Sequence, residues 1–286
     1  MKVSEEMFEA VKGYAMNAVK EAVDTDDKTV RDARIDAITA DVNEHFAEIY
    51  PDVGIGTLGC SILGREIPLL TFGAGPRKIL YVGTHHGMEW MTTTILLRFC
   101  EDLLLAKKTG KAVYNLCPDR FWESHTLYVL PMLNPDGVEY QLHGVDPENP
   151  LYQRLLTMNG GSRSFSSWQA NARGVDLNHN YDAGFAEYKQ LEREAGILGG
   201  CSTRYSGECP ESEPEVGYLC NYLRFHQEEI HAVLTLHTQG EEIYYTTDGS
   251  DPKTSSTVTV YNKPFKVTKG TVVKAMATKS GFINSA

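Results

Sequence analysis

Hydrophobic and polar positions follow three different rhythms along this 286-residue chain. Over residues 1–50 the apolar side chains recur at three- and four-residue spacing. Met7, Phe8, Val11, Tyr14, Ala15, Ala18 and Ala22 fall on one helical face, and Ile35, Ile38, Val42, Phe46 and Ile49 on another. Ser4 is a suitable N-cap, and Asp24-Thr25-Asp26-Asp27 breaks the first run and caps the second. The pattern predicts a helical hairpin that packs but carries no chemistry. Over 51–242, short apolar runs alternate with helical periodicity. Strands are expected at Arg77–Gly83, Thr126–Pro131 and Ala232–Leu236, and helices at Thr92–Leu105 and Pro214–Ile230. Apolar strands separated by helices predict an α/β layer with both sheet faces covered. Residues 243–286 change character again: Thr, Val, Tyr and Lys dominate, and Thr247-Asp248-Gly249-Ser250 reads as a turn between β-prone runs, with further runs at 264–268 and 271–277. They predict part of an all-β module.

Charge sharpens these divisions. The net charge is −11, which argues against general binding of nucleic acid, since that relies on Lys and Arg to neutralise phosphates. The last segment carries six Lys and two Asp, a net of +4, against −15 for the remainder. No run approaches the ~20 apolar residues of a membrane span. The first residues have no signal-peptide core, so a cytoplasmic location is expected. The six cysteines form no CxxC pair and are expected to be reduced and mostly buried; Cys201 and Cys209 share one loop and would pair in an oxidising compartment.

The chemistry concentrates at three residues. His86 and Glu89 lie in Gly83-Thr84-His85-His86-Gly87-Met88-Glu89-Trp90, and His237 lies in Leu234-Thr235-Leu236-His237-Thr238. Two imidazoles and one carboxylate are the ligand set of a catalytic zinc with an open fourth position. Each group follows an apolar strand, and open α/β sheets place their sites at the carboxyl ends of strands. His86, Glu89 and His237 are therefore expected to hold one Zn2+ per chain. His85, beside the ligand, is expected to be a supporting or an exposed residue.

Six ordered signatures carry a resemblance across about 51–242: Ser61-Ile62-Leu63-Gly64-Arg65-Glu66-Ile67-Pro68; the zinc loop; Asn134-Pro135-Asp136-Gly137; Asn171-Ala172-Arg173-Gly174-Val175-Asp176-Leu177-Asn178; Ser212-Glu213-Pro214-Glu215; and Leu236-His237-Thr238-Gln239-Gly240-Glu241-Glu242. In these the segment resembles the zinc carboxypeptidases, nearest to the bacterial branch that cleaves γ-D-glutamyl–diaminopimelate bonds of cell-wall peptides. The resemblance implies a mixed, twisted sheet with helices on both faces. It also implies a peptide or muropeptide substrate, and Asn178 as a contact to the substrate's carboxylate end. Three departures stand out. Where the family has a carboxylate-clamping Arg, this chain has His179, which cannot form the bidentate pair. Where an oxyanion-directed Arg is usual, it has Gln169, with Arg163 or Arg173 as substitutes. The family's general base is a Glu well beyond the last ligand, and here only Glu241 and Glu242 follow His237, as weak candidates.

The tail, Glu242 to Pro252 with Val267 to Thr271 and Ala275 to Ala277, resembles the C-terminal β-sandwich repeat of chitobiase-type proteins. The run Thr25 to Arg34 loosely resembles the helical region of polynucleotide phosphorylase. The expected domains are thus a hairpin (1–50), a zinc carboxypeptidase-like domain lacking its C-terminal strands (51–242) and a partial β-sandwich (243–286). Three functions follow: hydrolysis of peptide bonds, a non-catalytic zinc- and peptide-binding remnant without its base, or a surface-attachment or polymer-binding module built on the β tail. An exposed sheet edge would favour self-association.

Overall fold

The computed structural model describes residues 53–114, 116–238, 242–261 and 274–278; the predicted N-terminal hairpin lies outside them. The chain divides into two compact units, one ending at Leu236 and one beginning at His237.

In the first unit, β1 (Gly54–Cys60), β2 (Glu66–Phe72), β3 (Arg77–Val82), β4 (His125–Leu130) and β5 (Ile230–Thr235) form one sheet in the order β1-β2-β4-β3-β5. β1 and β2 pair antiparallel, as do β2 and β4, whereas β3 runs parallel to both neighbours. The sheet is therefore mixed, as expected. Helices α1 (Met91–Thr109), α2 (Pro118–Ser124), α3 (Pro135–His143), α4 (Tyr152–Met158), α5 (Phe185–Glu194) and α6 (Pro214–Phe225) complete the unit.

Alternation along the strands divides the core. Leu127 and Val129 face α1 and α2, where they meet Phe72, Leu96, Cys100, Leu103 and Trp122. Leu80, Val82 and Leu130 face the other way, against Leu177, Val216 and Leu219. Both sheet faces are thus covered, the condition under which strands read as continuous apolar runs. A third cluster, Tyr140, Leu155, Phe165, Trp168, Ala170 and Ala172, lies under the loops. Trp168 within it is fully buried.

The expected helix at 92–105 extends to Thr109 and ends on Gly110, whose left-handed backbone sends its N–H to the Ala106 carbonyl at 2.8 Å. The helix expected to reach Ile230 stops at Phe225. The polar run from His226 to Glu229 then turns the chain into β5. In the second unit, β6 (Glu242–Thr246) pairs antiparallel with β7 (Thr259–Val260) and with β8 (Lys274–Thr278). Gly249 takes a positive φ of 79° in the turn predicted there.

Buried carboxylates hold the signature loops. Asp136 accepts from Ser61 Oγ at 2.9 Å, the Leu63 N–H at 3.0 Å and Arg65 at 2.7 Å. Asn171 Nδ2 donates to Glu213 at 2.7 Å and to Glu215 at 3.5 Å. Glu215 is fully buried and accepts the Ile62 N–H at 3.4 Å. Desolvation dominates, and the neighbouring Asp136 and Glu213 add to it, so the Glu215 pKa rises from 4.5 to about 7.

A raised carboxyl pKa means that the folded state holds a proton the unfolded chain has released. This contribution to stability is present below pH 4.5 and is lost as pH rises through about 7. Between those values Glu215 should cost the wild type on the order of 3 kcal/mol. Glu215→Gln, which cannot ionise, should remove that dependence. Denaturant titrations of the two proteins at several pH values check it, and parallel stability curves across the range would refute it.

Candidate metal centre

β3 lies between two parallel partners, and the chain leaves its carboxyl end through a tightly tied loop. Gly83 donates to the Leu130 carbonyl at 2.8 Å, and a Cβ there would stand 2.5 Å from the Pro131 carbonyl oxygen. Thr84 has a positive φ of 52°, uncommon for a β-branched residue. Its N–H bonds Thr92 Oγ1 at 2.8 Å, and its hydroxyl lies 2.8 Å from those of both Thr92 and Thr93. Beyond it, the Gly87 N–H donates to the Gln169 carbonyl at 3.0 Å and the Met88 N–H to the Trp168 carbonyl at 2.9 Å. Asn134 Nδ2 donates to the His85 carbonyl at 3.0 Å and to the Gln169 carbonyl at 3.2 Å. The first loop is thus fixed by the Asn134 signature and by Trp168 and Gln169, just ahead of the Asn171 signature.

This scaffold presents His86 and Glu89 on one short turn, with Glu89 only 1% exposed. His86 Nδ1 lies 3.3 Å from Glu89 Oε1. The third residue arrives from β5: the Leu236 N–H donates to the Val82 carbonyl at 2.9 Å, so the β3–β5 pairing runs up to His237. Ligand atoms of His86, Glu89 and His237 all lie within 4.8 Å of one another. Tetrahedral zinc with bonds of about 2.1 Å sets its ligand atoms roughly 3.4 Å apart, so the donor set and spacing suit that ion.

Asp176 is the residue whose role the sequence did not reveal. His86 Nε2–H donates to its Oδ1 at 3.0 Å, and the Asn178 N–H donates to the same oxygen at 3.2 Å. Its Oδ2 accepts the Arg204 N–H at 3.0 Å. With Nε2 held in this way, Nδ1 is the nitrogen that would face a metal. Burial opposes charge on both groups, but each stabilises the other. Asp176 and Glu89 raise the His86 pKa to about 10, and His86 holds Asp176 below the usual carboxylate range. Of the two carboxylates, only Glu89 belongs to the three-residue cluster, since Asp176 lies against the other ring nitrogen of His86.

The other expected residues separate. Asn178 and His179 sit in a 3-10 turn, Leu177–His179, that starts on Asp176. His179 stacks on Tyr188 with centroids 3.9 Å apart, and burial lowers its pKa, so its imidazole is neutral. Gln169 Oε1 accepts from Thr203 Oγ1. Arg173 is exposed and lies 3.8 Å from Glu213, and Arg163 is exposed. His85 is buried rather than exposed, with its Nε2 2.8 Å from Tyr181 Oη. Glu241 and the side chain of Glu242 lie outside the described residues. All six cysteines are free, and Cys60, Cys117 and Cys209 are exposed, so the expectation of mostly buried thiols fails where they fall on an edge strand and in loops. Among the described residues no helix is long and apolar enough to cross a membrane.

Comparison with known proteins agrees with this geometry. A gamma-D-glutamyl-L-diamino acid endopeptidase 1 from Lysinibacillus sphaericus is 32% identical over 209 residues, 73% of this chain and 51% of that protein. The uncharacterized protein YqgT of Bacillus subtilis (strain 168) is 29% identical over 231 residues, 80% of this chain and 59% of its own length. The chain thus spans little more than half of these relatives. Among solved structures, bovine thrombin-activatable fibrinolysis inhibitor, in complex with tick carboxypeptidase inhibitor, matches with a TM-score of 0.52 at 22% identity, covering 74% of this chain and 62% of that one. It supports the fold alone. The zinc carboxypeptidase family model matches residues 39–284, and the chain belongs to that family.

Proposed function

We propose that this chain is a zinc-dependent peptidase domain acting on γ-D-glutamyl–diamino acid peptides of the cell wall, with one Zn2+ held by His86, Glu89 and His237. The observation that carries the reading is the convergence of those three ligand atoms within 4.8 Å at the carboxyl ends of β3 and β5. The similarity to an enzyme named for γ-D-glutamyl–L-diamino acid bonds supports the substrate class. Zinc bound there would polarise the scissile carbonyl and lower the pKa of its water. Asp176 fixes the His86 tautomer, and Asn178, on the turn that begins at Asp176, contacts the substrate. His179 is neutral and cannot clamp a carboxylate bidentately, so ordinary C-terminal trimming is disfavoured. Gln169, with Oε1 engaged by Thr203, has its amide N–H groups left as neutral donors toward developing negative charge.

One observation favours a second reading, a zinc- and peptide-binding module without turnover. Both carboxylates described at the centre are committed, Glu89 to the ligand set and Asp176 to His86 and two backbone N–H groups. Proton transfer would fall to Glu241 or Glu242. The domain limits at 50 and 242, with the partial β-sandwich beyond, belong to the same reading and rest on composition. So does self-association through the outer edge of β5, where His231 to Thr235 are exposed.

Purified protein should hold about one zinc per chain, and His237→Ala should abolish both the metal and any chelator-sensitive cleavage of a γ-D-glutamyl–diaminopimelate peptide. Cleavage that persists in His237→Ala would sink the assignment. Tight peptide binding without turnover would select the second reading. Asp176→Asn, nearly the same shape, should weaken zinc binding roughly 10- to 100-fold, read by competition with a chromogenic chelator. Sedimentation equilibrium should show association that increases with concentration, and a monomer throughout would dismiss the edge contact.

A further inference from the structure

Position 179 cannot supply a guanidinium, but the chain has other arginines. Five described arginines make no ion pair among the described residues and are exposed: Arg77, Arg120, Arg154, Arg163 and Arg193. Arg65, Arg98, Arg173 and Arg224 each pair with an acid. Arg204 alone among the described arginines is partly buried and makes no ion pair or side-chain hydrogen bond among the described residues. A partly buried guanidinium that is unpaired among the described residues has its donors available to an anion.

Its placement is built. Arg204 has a positive φ of 67°, a left-handed backbone that non-glycine residues seldom adopt. Two bonds impose it: its N–H reaches Asp176 Oδ2 at 3.0 Å, and its carbonyl accepts from Tyr188 Oη at 3.2 Å. The other oxygen of that carboxylate holds the His86 ring. One carboxylate therefore sets both a metal ligand and the starting point of the Arg204 side chain. Tyr188 is also the ring on which His179 stacks. Arg204, through its carbonyl, and His179, through its ring, therefore meet the same tyrosine.

We propose that Arg204 is a specificity-determining residue that recognises a free substrate carboxylate beside the scissile bond, taking the part that position 179 cannot play. The proposal rests on the peptidase reading above. A peptide linked through the γ-carboxyl of glutamate keeps its α-carboxylate free, and diaminopimelate carries carboxylates of its own. Either would accept the two parallel N–H donors of a guanidinium.

The test is binding of three probes to the zinc-loaded protein: γ-D-glutamyl–diaminopimelate, the same peptide amidated at the glutamyl α-carboxyl, and the same peptide amidated on diaminopimelate. Wild type should lose at least roughly tenfold in affinity on one amidation, which identifies the carboxylate recognised. Arg204→Asn should bind the acid and that amide equally, and Arg204→Lys should keep part of the difference. Asn tolerates the left-handed backbone, and unchanged zinc content with an unchanged melting temperature verifies the fold. Wild-type discrimination retained in Arg204→Asn, or a wild type indifferent to both amidations, overturns the proposal. Wild-type protein that holds no zinc overturns the peptidase reading as well, and so separates the two failures.

Discussion

The carboxylate of Asp176 is 2% exposed, and three donors from separate parts of the chain converge on its two oxygens. An ionised carboxylate in that position would cost several kcal/mol without partners. It is kept charged by an imidazole and two backbone N–H groups, and the same contacts give the site its shape. His86 is turned so that one nitrogen is left for coordination, the turn carrying Asn178 starts there, and the loop through Arg204 is anchored in a strained conformation. Were this group removed, three positions would loosen together. The network thus acts through precision of placement more than through net stabilisation, since a buried ion pair seldom returns much more than its own desolvation costs.

Topology makes that convergence possible. β3 has parallel partners on both sides, so the chain leaves β3, β4 and β5 at one edge of the sheet. The loops that follow β3 and β4 are bonded to each other through the Leu133 and Asn134 N–H groups, which donate to Gly83 and Thr84. His86 and Glu89 on one loop and His237, 151 positions after His86, meet because strand pairing has already brought their stems side by side, at the spacing of neighbouring strands, about 4.8 Å. Little further loop entropy has to be paid to bring the three side chains together.

What the sequence could reveal follows from the same physics. β3, β4 and β5 were legible because coverage on both faces selects continuous apolar residues, and α1 because its buried face repeats at helical spacing. β1 was not legible. Gly54, Gly56 and Gly59 interrupt it, it is an exposed edge strand, and Gly59 sits at a bulge. In β2, Pro68 looks like a strand breaker, yet it pairs opposite Thr57 next to that bulge. The end of α6 was misplaced by five residues because neither Gly nor Pro marks it, and the residues after Phe225 are polar in a way that both a helix surface and a turn allow. His86, Glu89 and His237 were legible as residue types following strands. Asp176 was visible as part of a signature but not as the partner of His86, since only the fold brings positions 90 apart within 3.0 Å.

Asp136, Asp176, Glu213 and Glu215 are all buried, although a core of this size has no need of four interior acids. Loops explain them. A strand or helix satisfies its own N–H groups, whereas a buried loop leaves donors that must find acceptors elsewhere. The N–H groups of Leu63, Asn178, Arg204 and Ile62 all end on these carboxylates. The acids are therefore the internal acceptors of a surface made from irregular segments. They differ in how fully they are paired: Asp136 has Arg65 against it, and Asp176 has His86, whereas Glu215 has no cation against it among the described residues, and burial raises its pKa. A fold that builds its site from loops at one sheet edge thus concentrates ionisable groups there before any chemistry is selected, and Glu215 carries that cost without a compensating charge.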